Sequence, residues 1–124
     1  MLPKSEKKIM QIIWKKKNVF LKDILNSYDD PKPAKTTIAT LLTRMQSKGF
    51  IGYKNIGNLR EYYALVSRKD FYSSTLNDFI VADFNASRTE FIDFLLRSLP
   101  FKDAELESIK KNIKQQLKNK KKPE

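Results

Sequence analysis

A chain of 124 residues with 40% apolar side chains is long enough to bury one ordinary core and too apolar to stay disordered. It contains no Cys and no His, which excludes disulfides, thiolate metal sites, Cys nucleophiles and the commonest general base and metal ligand. Its net charge of +11 points to a polyanionic partner.

The charge is unevenly laid out. Residues 1–66 hold 13 bases and 5 acids, residues 67–99 hold 4 and 5, and residues 100–124 hold 8 and 4. The middle stretch is also aromatic, with six of the eight Phe between Phe71 and Phe101. This shift predicts a basic binding domain over 1–66, a helical association domain over 67–118 and a disordered basic tail over 119–124. No apolar run approaches a membrane span and the N-terminus lacks a signal-peptide core, so a soluble cytoplasmic protein is expected.

A first helix is expected over residues 5–17, with Ser5 as N-cap. Ile9, Ile12 and Ile13 mark its apolar face, with Met10 and Trp14 beside it. Lys15, Lys16 and Lys17 suit its C-terminus, and Asn18 suits a left-handed stop. Val19-Phe20-Leu21 reads as a short strand, followed by a second helix over 21–27 that buries Ile24 and Leu25. Residues 28–33 form a turn rich in Asp and Pro. The third helix, over 35–48, has the clearest pattern: Ile38, Leu41, Leu42 and Met45 fall at i, i+3, i+4 and i+7, and Gly49 stops it. Strands over 50–56 and 59–65 flank a Gly57-Asn58 turn, giving a β-hairpin.

A fourth helix opens at Ser67, with Asp70 three residues on, and presents Tyr72, Leu76, Phe79 and Ile80 on one side. Asn85-Ala86 breaks it. The fifth opens on a capping box, Ser87 and Glu90, carries Phe91, Ile92, Leu95, Leu96 and Leu99, and ends at Pro100. The sixth starts at Asp103, aligns Leu106, Ile109, Ile113 and Leu117, and places its acids first and its lysines last. The fold class is therefore mainly α with a small β-hairpin. Helix, short strand, helix, helix and hairpin is the order of a winged helix-turn-helix, followed here by C-terminal helices.

Between Asp30 and Glu61 there is no acidic residue, while Lys32, Lys35, Arg44, Lys48, Lys54 and Arg60 all fall in the gap. With Ile38 at the centre of the buried face, Thr36, Thr40, Thr43 and Ser47 cluster at the opposite pole of the third helix. Solvated helix faces favour Glu, Gln and Lys; three Thr and a Ser here go against helix propensity. Small hydroxyl side chains allow close approach to a groove, and a Thr methyl can meet a thymine methyl. The candidate DNA-binding set is Lys35, Thr36, Thr37, Thr40, Thr43 and Arg44 on the helix, with Lys54, Asn58 and Arg60 on the hairpin. In the second half, three helices cannot hide all their Phe, Leu and Ile internally. Phe79, Phe84, Phe91, Leu95, Leu99, Leu106, Ile109 and Ile113 are the candidate dimerisation residues, and a two-fold protein implies a palindromic site.

The stretch Thr37-Ile38-Ala39-Thr40-Leu41-Leu42-Thr43-Arg44-Met45-Gln46-Ser47-Lys48-Gly49 resembles the T-[VI]-x-T-L-[LI]-x-R-L-x-x-K-G signature of the penicillinase and methicillin-resistance repressors. Ile9-Met10-Gln11-Ile12-Ile13-Trp14 is similar to that family's first helix, Arg60-Glu61-Tyr62-Tyr63 to its returning wing strand, and Phe84-Asn85-Ala86-Ser87 to its F-G-G-S break. The resemblance implies a homodimeric transcriptional repressor on a palindromic operator. It also implies release when a membrane sensor protease causes cleavage at an Asn-Phe bond in the dimerisation helices. The matching position here is Asp93-Phe94. Two further departures are the missing Cys-rich tail of the related copper repressors and Ala34 at the third helix's N-cap, where relatives place Ser or Thr.

No cofactor or metal is expected. Asp29-Asp30 is the only adjacent acid pair, it sits beside Pro31 in a turn, and no Gly-rich phosphate loop exists, so the chain does not read as an enzyme. The alternative to duplex DNA is another polyanion, RNA or an acidic protein. No aromatic platform for RNA is evident, because Tyr62 and Tyr63 alternate faces.

Overall fold

The computed structural model describes residues 2–121. The chain divides into two compact units, residues 1–78 and 79–124.

The first unit holds α1 (Lys4–Lys16), α2 (Leu21–Asn26), α3 (Lys35–Ser47) and the antiparallel pair β1 (Ile51–Ile56) and β2 (Leu59–Ala64). Their apolar stripes converge on one core: Ile9, Met10 and Ile13 from α1, Ile24 from α2, Ile38, Leu42 and Met45 from α3, and Ile51 and Tyr62 from the hairpin. Each such aliphatic side chain contributes about 1.5–3 kcal/mol by leaving water. Met10, rather than Ile12, completes the buried face of α1. This helix starts one residue before Ser5, with Pro3 at its N-cap and no side-chain cap. Its left-handed residue is Lys17 (φ 74°), not Asn18. Val19 forms a single bridge, its N–H and C=O both paired with Tyr62 at 3.0 and 2.7 Å, and Leu21 already belongs to α2. The expected strand thus shrinks to one residue, which ties the α1–α2 link to the hairpin.

Helix α3 ends as its Gly49 predicts, at φ 83°. Its N-cap, Ala34, offers no side-chain acceptor to the first turn. In the hairpin, Tyr53 opposes Tyr62, Lys54 opposes Glu61 and Asn55 opposes Arg60, around a turn with Gly57 at φ 62°. The Tyr63 ring lies over Gly52, where an added Cβ would come within 2.9 Å of its hydroxyl.

Helix α4 (Arg68–Asp83) begins in the first unit. The Trp14 indole N–H donates to the Val66 carbonyl at 2.9 Å, and the Phe71 ring packs 5.5 Å from Trp14 and 6.0 Å from Phe50. These aromatic contacts carry the first unit past residue 66. Ser67 caps the helix as expected, its hydroxyl accepting the Asp70 N–H at 3.0 Å. Tyr72, Leu76, Phe79 and Ile80 share one side of the continuous helix; along that side Ile80 is buried while Leu76 and Phe79 stay exposed in the single chain, and Phe71 is buried beside it.

The second unit contains the end of α4, α5 (Arg88–Ser98) and α6 (Asp103–Lys121). Helix α4 closes with the Ala86 N–H reaching back to the Ile80 carbonyl at 3.1 Å, through two left-handed residues, Asn85 (φ 53°) and Ala86 (φ 61°). Ser87 then caps α5 by accepting the Glu90 N–H at 3.1 Å. Phe79, Phe84 and Phe91 pack edge-to-face and Phe94 lies tilted against Phe84, with ring separations of 5.3–6.0 Å. Of the apolar stripe expected on α5, Phe91, Leu95 and Leu96 are half-buried while Ile92 and Leu99 are exposed. Helix α6 continues through Lys121, so residues 119–121 of the expected disordered tail are helical. Residues 122–124 of that tail lie outside the described residues.

Candidate nucleic-acid interface

The face of α3 opposite its core stripe is exposed throughout: Thr36, Thr37, Thr40, Thr43, Arg44 and Ser47 all face solvent. The alternation of Ile38, Leu42 and Met45 inward forces this arrangement, because a 3.6-residue period leaves the Thr positions no other direction. No ion pair reaches that face among the described residues. Three of its hydroxyls are already engaged. Thr40 Oγ1 donates to the Thr36 carbonyl at 2.9 Å, Thr43 Oγ1 to Ala39 at 3.0 Å and Ser47 Oγ to Thr43 at 3.1 Å. These back-bonds fix the rotamers. They spend the hydroxyl hydrogens within the helix, leaving methyl groups and oxygen lone pairs for an approaching partner.

The six bases of the acid-free stretch have different fates. Lys48 is drawn inward, its Nζ 2.9 and 3.1 Å from the two carboxylate oxygens of Glu6. Glu6 is the buried charged residue of the core, at 2% exposure, and Lys48 is its partner from the C-cap of α3. Lys32 donates to the Tyr28 carbonyl at 2.6 Å and so braces the turn before α3. Lys54 pairs loosely with its cross-strand neighbour Glu61 at 3.4 Å. Arg60 lies over the Tyr53 ring, 4.2 Å from its centroid. Lys35 and Arg44, one at each end of α3, have no ion-pair partner among the described residues.

The hairpin divides the expected wing residues. Successive side chains of a strand alternate faces, so the register puts Tyr53, Asn55, Arg60 and Tyr62 on one face and Gly52, Lys54, Glu61 and Tyr63 on the other. Lys54 therefore stands on the opposite face from Arg60. Lys35, Asn58 and Arg60 instead converge on one groove, which also receives Lys22 of α2. Lys22 was missed in the sequence because a six-residue helix with one exposed lysine carries no pattern. The acid beside it, Asp23, is turned back on its own helix start, where its carboxylate accepts the Phe20 N–H at 2.9 Å.

In the second unit the expected association residues are graded in exposure. Phe84, Phe91, Leu95 and Ile109 are half-buried, while Phe79, Leu99, Leu106 and Ile113 are exposed. Val81, Ile92 and Leu117 add to the exposed apolar surface and were not in the expected set. Asp93 and Phe94 lie inside α5, with Asp93 accepting from Arg97 Nε at 3.0 and 3.1 Å and Phe94 exposed against Phe84. No group of three or more His, Cys, Asp or Glu able to hold a metal ion occurs among the described residues, and no described helix is long and apolar enough to cross a membrane.

The sequence profile of the family described as Penicillinase repressor matches residues 2–115. The chain belongs to the penicillinase repressor family. Relatives include the methicillin resistance regulatory protein MecI of Staphylococcus aureus (strain N315) and that of Staphylococcus epidermidis, each 36% identical over 77 residues, or 61% of this chain. The Mammaliicoccus sciuri MecI is 35% identical over the same length. The match spans 63% of the length of these relatives. The stretch from Thr37 to Gly49 lies within the matched residues and supplies both the buried stripe of α3 (Ile38, Leu42, Met45) and most of its exposed Thr-rich face.

Proposed function

We propose that this penicillinase repressor family member is a homodimeric transcriptional repressor that binds a palindromic DNA operator through α3 and the hairpin. The observation that carries the reading is the α3 face: a rigid, core-anchored helix whose outward side is Thr-rich, free of carboxylates and bounded by Lys35 and Arg44 without ion-pair partners among the described residues. Such a helix fits the major groove. Thr36, Thr37, Thr40 and Thr43 approach base edges with methyls and lone pairs, and Arg44 clamps a phosphate. Asn58 and Arg60 brace the backbone beside Lys35. Lys54 joins them from the other hairpin face by giving up its long, half-exposed pair with Glu61, an interaction of about 1 kcal/mol.

The exposed apolar residues of the second unit meet their copies across a two-fold axis, and repression is steric occlusion of a promoter. The family's sensor-triggered cut falls at an Asn-Phe bond; a cut at the matching Asp93-Phe94 would act on a bond inside α5, so that helix would have to unwind locally first. Fluorescence anisotropy of a labelled duplex, titrated across a salt series, tests the DNA assignment. Several phosphate contacts per subunit predict a loss of affinity of about a thousandfold or more between 50 and 200 mM salt. Equal binding to single-stranded RNA under the same conditions supports the alternative polyanion and opposes DNA recognition.

A further inference from the structure

The groove between α2, the start of α3 and the hairpin tip has a composition that DNA binding does not require. Its volume is about 700 Å³, within the range of small-molecule sites. Phe20, Leu21, Leu25 and Tyr62 form an apolar floor, Lys22, Lys35 and Arg60 stand at the rim, and no carboxylate lines it. A phosphodiester chain would be satisfied by the rim cations and would leave that floor wet. Three convergent cations around an aromatic and aliphatic floor complement one ligand chemistry: a compact apolar body ending in an anionic group. We propose that this groove is an effector site for an aromatic carboxylate. The ring lies on the Phe20–Leu25–Tyr62 floor, and the carboxylate is held by charge-assisted hydrogen bonds from the rim. On the DNA-binding reading, on which this regulatory step rests, Lys35 and Arg60 serve both partners. Ligand and operator therefore exclude one another, and the effector releases DNA without any cut in the chain.

The test uses the intact chain, 2-naphthoate as probe and its uncharged analogue 2-naphthylmethanol, followed by amide NMR in the absence of DNA. The expected result is saturable shifts at Leu21, Lys22, Leu25, Lys35 and Leu59, with binding of the alcohol about tenfold weaker or more. Leu59→Glu, at an exposed position where folding is retained, places a carboxylate at the rim and should abolish the shifts; Lys22→Gln should weaken them severalfold. Unmoved groove resonances at millimolar probe, or shifts confined to residues 79–117, would each overturn the site. A second titration adds the probe to a preformed complex with labelled duplex. Release of duplex supports the regulatory step, and simultaneous binding of both overturns it. If naphthoate fills the groove while no duplex is ever bound, the site stands and the repressor reading fails.

Discussion

Thr40 and Thr43 show how a side chain can be polar by formula and partly apolar by presentation. Each donates its hydroxyl hydrogen to a carbonyl four residues back, so on the proposed DNA-binding reading the methyl carries the contact with a base edge. Thr40→Val keeps that methyl and should leave operator affinity within about twofold, whereas Thr40→Ser, which keeps the hydroxyl, should lose roughly tenfold on the cognate site. Anisotropy titrations on cognate and scrambled duplexes separate the two, and the reverse order would assign recognition to the hydroxyl. Arg44→Ala should weaken binding to both duplexes alike and lower the salt slope by about one. Glu6 and Lys48 pose a stability question. Glu6 is 2% exposed and Lys48 38% exposed, so the two ends of the pair are not equivalent. Lys48→Ala strands a buried carboxylate and should cost about 3 kcal/mol. Glu6→Gln leaves a lysine that can turn to solvent and should cost about 1 kcal/mol. Urea denaturation of both variants, read at constant slope, gives the comparison.

At the scale of elements, the two helix junctions differ in how well residue type suits backbone. Gly49 and Gly57 occupy left-handed positions at little steric cost, but Ala86 does so at φ 61° with a Cβ in the way. Ala86→Gly should therefore stabilise the second unit by about 1 kcal/mol, visible as a higher thermal midpoint; an unchanged or lower midpoint would mean the strain is relieved elsewhere. The end of α3, the starts of α4 and α5 and the α3 stripe were legible because period, caps and stops agreed locally: Ser67, Ser87 and Gly49 all act as their types suggest, whereas Ser5 and Asn18 do not. What sequence could not supply were the long-range pairings. Nothing local tells that Lys48 turns to a carboxylate 42 residues earlier, or that Trp14 holds a carbonyl 52 residues later and draws the start of α4 into the first unit. The candidate DNA-binding residues could be named from the sequence, but how the fold divides them could not. Strand register alone separates Lys54 from Arg60, and only the packing of α2 against the hairpin adds Lys22.

Across the whole molecule, a single chain leaves Phe79, Val81, Ile92, Phe94, Leu99, Leu106, Ile113 and Leu117 open to solvent, the apolar surface that the proposed dimer would cover. Sedimentation of the intact chain should give a dimer, and a chain ending after Asn85 should sediment as a monomer with much weaker operator binding; a monomeric intact chain would remove the two-fold from the scheme. The symmetry of the bound DNA joins both units in one observable. Selecting duplexes from a random pool with the intact protein should enrich an inverted repeat whose half-sites lie about one helical turn, roughly 10 bp, or a multiple of it apart. Enrichment of a single unrepeated motif, or no enrichment over the starting pool, would contradict recognition by paired α3 helices.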